Sequence, residues 1–132
     1  MAPASATLHP AVTFSPGDLA LIERTPEVEI ETRAADGTVH RTIIWAVVSD
    51  GAVLVRSVHG PGARWYREAL AERTAALVVA GERRLIRVRR AVDPASITGC
   101  SAGLRAKYAG DFSLGSMLAP DVLHTTLRLE PA

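Results

Sequence analysis

The stretch Val55-Arg56-Ser57-Val58-His59-Gly60-Pro61-Gly62-Ala63-Arg64-Trp65-Tyr66-Arg67 gathers guanidinium groups, a hydroxyl, an imidazole and turn-forming glycines. At the end of a strand and the start of a helix, such residues suit an anion. The first backbone N–H groups of a helix lack partners, and its dipole is positive there. Phosphate is the natural guest. The plainer alternative is that the glycines only turn the chain and the arginines face water.

These residues need elements to hold them. Ser15-Pro16-Gly17-Asp18 predicts a helix start, with Ser15 as cap, and Thr25-Pro26 predicts its end. From Val28 the period becomes two: Val28, Ile30 and Thr32 alternate with Glu29, Glu31 and Arg33, a strand with one wet face. Asp36-Gly37 turns the chain into a strand running from Thr38 through Val48. Its last part is apolar throughout and so should be covered on both faces. After Asp50-Gly51, Ala52 to Ser57 makes a third antiparallel strand.

Ala63 to Arg73 reads as a short amphipathic helix, and Ala75–Ala80 with Arg83–Val92 as a second hairpin around Gly81-Glu82. Asp93-Pro94 opens another helix, through which Ile97, Ser101, Leu104 and Tyr108 keep helical spacing despite two glycines. Gly110 to Pro120 reads as loop and Val122 to Leu129 as a closing strand. The expectation is a mainly β chain with short helices, whose six antiparallel strands form a small closed or half-closed barrel. Residues 1–13 read as a flexible tail and 14–132 as one domain.

Other clusters also carry side chains capable of chemistry. Arg83, Arg84, Arg87, Arg89 and Arg90 make a dense basic strand. It could meet a phosphate or an acidic partner, or be a solvated edge strand whose charge prevents aggregation. Glu29 and Glu31 could be its counterpart across a sheet or a dimer interface. Gly99-Cys100-Ser101-Ala102-Gly103 matches a nucleophile elbow, with Asp111 or Asp121 and then His124 in hydrolase order. That pattern needs a strand running into the serine, whereas Asp93-Pro94 places Ser101 inside a helix. Cys100 reads as a buried structural thiol, and no metal-site spacing such as HExxH or paired CxxC occurs.

Composition narrows the classes. Lys+Arg 15 against Asp+Glu 14 gives a net charge of +1, so no long-range field holds the chain on nucleic acid or an anionic membrane. Hydrophobic residues at 48% and charged residues at 22% fit a compact folded chain rather than a disordered one. A single cysteine rules out an internal disulfide framework. With no long apolar run and no signal-peptide pattern in the opening residues, the expected location is the cytoplasm.

Ile44-Trp45-Ala46-Val47-Val48, Asp50-Gly51, Val53-Leu54-Val55-Arg56-Ser57 and Arg64-Trp65-Tyr66-Arg67 together resemble the flavin-binding split β-barrel superfamily. Its members include pyridoxamine 5'-phosphate oxidase-like and deazaflavin-dependent nitroreductase-like proteins. More closely, the chain from about Phe14 to Pro131 resembles a small bacterial family described as a domain of unknown function, DUF2255. Arg105-Ala106-Lys107-Tyr108 and Thr125-Thr126-Leu127-Arg128-Leu129 also fit that family's pattern.

The resemblance implies a six-stranded antiparallel split barrel and a homodimer holding FMN or the deazaflavin F420 in a groove at the subunit interface. Residue by residue, it implies Arg56, Ser57, Gly60, Arg64 and Trp65 as phosphate and ring contacts. His59 could donate to the phosphate or to a flavin carbonyl, or be solvated; Trp45 could face the ring or lie in the core. Val58-His59 departs from the lysine more typical of such proteins, and the loop before the helix is short. The implied function is an FMN- or F420-dependent oxidoreductase in which the protein positions the ring and the cofactor carries the hydride chemistry. Two other classes stay open: a non-catalytic binder of a small ligand on the same barrel, and a dimeric interaction module.

Overall fold

Helix α1 (Pro16–Arg24) begins as its sequence requires: Ser15 Oγ accepts from the Asp18 N–H at 3.1 Å, and Pro16 sits where no N–H is needed. This computed structural model describes residues 12–132, so most of the expected tail lies outside the described residues. Thr25, forced out of the helical region by Pro26, ends α1 at φ −97° and ψ 113°. Strand β1 (Val28–Arg33) then buries Val28, Ile30 and Thr32, and pairs in antiparallel register with β2 (Val39–Ile44).

Seven strands form, not the six expected. After β2 come β3 (Ala46–Ser49), β4 (Ala52–Val55), β5 (Thr74–Val79), β6 (Glu82–Arg90) and β7 (Leu127–Pro131). They make one antiparallel sheet in the order β2-β1-β5-β6-β7-β4-β3. The apolar run expected as one strand from Thr38 to Val48 is two strands, because it supplies both ends of the sheet. Only Trp45 separates Ile44 from Ala46. Two peptide units span at most about 7 Å, so the sheet must curl until its first and last strands meet at Trp45. The result is a half-barrel.

Inside the curl lie Ile30, Val53, Val55, Leu77, Val79, Ile86, Leu127 and Leu129, all buried. Helix α1 packs Ile22 onto this core, and helix α2 (Arg64–Glu72) adds Trp65, Tyr66 and Ala69. A second cluster covers the outer side of β3 and β4. Val47, Ala52 and Leu54 pack under Cys100, Leu104 and the capping residue Tyr108 of helix α3 (Pro94–Lys107), and under Met117 of the single turn α4 (Leu114–Met117). Coverage on both faces is why every residue of β4 is buried and its sequence does not alternate.

Three further expectations are corrected. The stretch read as loop, Gly110 to Pro120, contains α4. The closing strand begins at Leu127 rather than Val122, after a 3-10 turn over Pro120–Thr125. There the Thr125 and Thr126 hydroxyls donate to the carbonyls of Val122 and Leu123 at 2.6 and 2.7 Å, holding the chain in a turn its apolar alternation does not reveal. The basic strand β6 is not an edge, since it lies between β5 and β7. Among the described residues no helix is long and apolar enough to cross a membrane.

Candidate functional site

At Val55 the chain leaves the sheet, and the next two residues turn inward. Arg56 is 1% exposed. Its Nε donates to Thr126 Oγ1 at 2.9 Å, Nη1 to Ser101 Oγ and the Met117 carbonyl at 3.0 Å each, and Nη2 to the Ile97 carbonyl at 3.2 Å. Burial lowers the pKa of this guanidinium, with Cys100 acting in the opposite direction and Arg105 adding to the depression. It still stays charged, and neutral acceptors on α3, α4 and the Thr125-Thr126 turn satisfy it. Arg56 is therefore the tie that fastens the outer helices to the barrel. Its side chain has left the surface where the resemblance would put a phosphate contact.

Ser57 is likewise internal: its hydroxyl donates to the Gly60 carbonyl at 2.7 Å, and its N–H donates to Thr125 Oγ1 at 3.0 Å. Gly60 closes this loop through its own N–H to the Ser57 carbonyl at 3.1 Å. It does so at φ +79°, a region in which glycine alone avoids a Cβ penalty. A 3-10 turn over Gly60–Gly62 leads into α2. Ala63 occupies the N-cap with no side-chain hydrogen bond, and the first turn holds no acidic residue. His59 and Arg64 flank this helix start, exposed, and neither side chain has a hydrogen bond or ion pair among the described residues. Trp65, 7% exposed, is a core residue meeting Tyr66 edge-on with ring centroids 6.0 Å apart.

The sequence-predicted residues thus fall into two groups. Arg56, Ser57 and Trp65 build the loop from within. His59 and Arg64 place an imidazole and a guanidinium on the surface beside the first N–H groups of α2. Together the outward group can hold one compact anion. Trp45 is half-buried, with one face stacked on Tyr108 at 3.9 Å and 4° between planes.

The structural role of Lys107 had no local signal in the sequence. Lys107 Nζ donates to the carbonyls of Ile22 and Ala46 at 2.8 and 2.7 Å, tying α3 to α1 and to the start of β3. Those partners stand far off in the chain, and an ordinary lysine late in a helix announces nothing. Ser101 lies inside α3 as an acceptor for Arg56, which removes the nucleophile-elbow reading. Cys100 is buried, and burial raises its pKa to about 11. No group of three or more acidic, histidine or cysteine side chains placed for a metal occurs among the described residues.

The outer face of the sheet carries a different arrangement. Glu31 on β1 accepts from Arg41 on β2 at 3.2 Å and, across β5, from Arg83 on β6 at 2.7 Å. The hydrogen bond from Arg83 is the largest influence holding the Glu31 carboxyl below its ordinary pKa, against the opposing effect of burial. Glu31 thus answers the basic strand within one sheet. Beside it lies a groove of about 320 Å³ lined by Arg33, Val39, Ala76, Leu85 and Ile86 among others.

The same chain path occurs in solved structures. The heme storage protein HutZ of Vibrio cholerae superposes with a TM-score of 0.63 at 13% identity, covering 92% of each chain. A Listeria innocua protein provisionally assigned as a pyridoxamine 5'-phosphate oxidase gives 0.63 at 12%, covering 87% of this chain and 90% of that one. An F420 reductase gives 0.57 at 19%, covering 90% and 96%. At these identities the likeness shows the split-barrel fold. No curated protein matches the sequence significantly. Residues 18–129 match the model of a family described as "uncharacterized protein conserved in bacteria (DUF2255)", and the chain belongs to that family.

Proposed function

We propose that this protein binds FMN or F420 as a homodimer and works as an oxidoreductase on a small molecule, with the cofactor phosphate seated at the start of α2. The observation that carries this reading is the uncapped, acid-free N-terminus of α2 between two exposed cationic or ionisable side chains without partners, His59 and Arg64. Free N–H groups, a favourable dipole and a guanidinium suit a phosphate group, the terminal monoester of FMN or the internal diester of F420. The residues present therefore fit the phosphate of either cofactor. Arg56 and Ser57 support the site from beneath, Gly60 brings backbone close without a side chain, and Trp65 fixes α2 to the core. A bound flavin or deazaflavin would supply the hydride chemistry, while the chain holds and orients it.

A homodimer fits the outer sheet face. Val39, Ile43 and Leu85 are 50, 60 and 61% exposed there. Cross-strand register places them on the face carrying Glu31. Apolar side chains around a satisfied ion cluster are the composition of an interface core.

The test is a fluorescence titration of FMN and of F420 with purified protein. Saturable binding of one cofactor is expected, weakened about tenfold or more by Arg64→Ala with little change in thermal midpoint. Unaltered affinity in that variant, or binding of neither cofactor, would sink the reading. The likeness to a heme storage protein favours a second reading, a binding protein without turnover on the same barrel. It predicts saturable ligand uptake with no reduction of any electron acceptor.

A further inference from the structure

The five arginines of β6 do not form one uniform basic face. In the first half of the strand every charge is answered: Arg83 meets Glu31 at 2.7 Å, and Arg84 meets Asp18 and Glu82 at 2.9 Å each. The second half differs. Arg87, Arg89 and Arg90, together with Arg73 at the end of α2, line an open concavity of about 670 Å³ whose other lining residues are Leu70 and Val88. No carboxylate lines it. Arg89 is paired with Glu130 at 2.9 Å, but Glu130 also meets Arg128 at 3.0 Å, so one carboxylate answers two guanidiniums. Arg90 reaches only the Tyr66 hydroxyl at 3.4 Å, and neither Arg73 nor Arg87 has a side-chain partner among the described residues.

The rim is fixed in place. Arg73 sits at φ +60° as the C-cap of α2; its N–H donates to the Ala69 carbonyl and its carbonyl accepts from the Val88 N–H, both at 2.9 Å. Backbone hydrogen bonds thus hold the end of α2 to β6, with the four arginines Arg73, Arg87, Arg89 and Arg90 around the rim of the concavity.

We infer that this concavity is a second anion site, which takes a small molecule bearing a diphosphate or triphosphate group. Arginine forks bind phosphate oxygens in pairs, and several of them around one cavity match a group with several charges close together. The net charge of +1 gives no field to hold a nucleic acid, so the occupant is small. The site is separate from the one proposed above. Arg64 and Arg73 stand at opposite ends of α2, about 13 Å apart along its axis.

Isothermal titration calorimetry with sodium pyrophosphate at constant ionic strength tests it on the whole protein. One saturable site is expected, weakened about tenfold or more by Arg87→Gln and by Arg73→Gln. Arg83→Gln and Arg64→Ala should leave it unchanged. Arg87 faces solvent, so its variant should keep the thermal midpoint and isolate binding from folding. Absence of saturable heat would overturn the inference. So would equal weakening by Arg83→Gln, which would mean diffuse charge, or loss confined to Arg64→Ala, which would place pyrophosphate at the other end of the helix.

Discussion

Arg56 shows how far residue type and structural role can diverge. Its place beside Ser57 and a glycine turn marked it for phosphate, yet its guanidinium reaches Ile97, Ser101, Met117 and Thr126, positions that no local pattern links to it. Lysine at this site keeps the charge but cannot fork to four acceptors. Arg56→Lys should therefore lower stability by about 2–3 kcal/mol, read as a shifted denaturant midpoint. An unchanged midpoint would show that the guanidinium is not the tie described. Cys100 gives a second test at this scale. Burial keeps its thiol protonated, with a pKa of about 11, so it should resist a thiol reagent at pH 8 in the folded protein and react promptly once unfolded. What was legible in the sequence was that His59 and Arg64 lie exposed at a helix start, because that depends on near neighbours alone.

Elements were legible where one local rule decided them. Ser15, Thr25-Pro26 and Asp93-Pro94 set helix ends, and alternation set β1. Long-range packing decided the rest. The run through Trp45 is apolar for two reasons, with Ile44, Ala46 and Val48 toward the barrel core and Val47 under α3, and nothing in its composition marks the break. Gly99 and Gly103 looked like weaknesses in α3 but are what lets it approach β3 closely. A Cβ on Gly103 would stand 3.0 Å from both Cβ and Cγ2 of Val47, a fully buried, β-branched side chain with little freedom to yield. Gly103→Ala should therefore destabilise by about 1 kcal/mol or more, although alanine is the better helix former in isolation. Gly99→Ala faces chiefly the Ser49 hydroxyl, so Ser49→Ala should recover much of its cost in a double-mutant cycle.

For the molecule as a whole, the curl of the sheet brings both groups of charge to defined faces. Glu31, held by Arg83 and Arg41, titrates below its ordinary 4.5. A depressed carboxylate contributes stability that is present above the unfolded value and lost as pH falls through the folded one. Stability should therefore decline below about pH 4.5, with Asp36 and Asp93 acting in the same direction. Arg83→Gln should make that decline shallower; an identical acid profile would remove Glu31 from the account. Sedimentation should give twice the chain mass of 14.0 kDa, and charging the apolar outer face with Leu85→Glu should return it to one. A single-chain mass for the unaltered protein would contradict the proposed dimer.

The most direct measurement of the central claim is amide hydrogen exchange across the chain with and without FMN or F420. A cofactor seated at the start of α2 predicts slowed exchange concentrated in the loop from Val58 to Tyr66, where N–H groups without partners gain one. Protection absent from that loop, or confined to another part of the barrel, would contradict it.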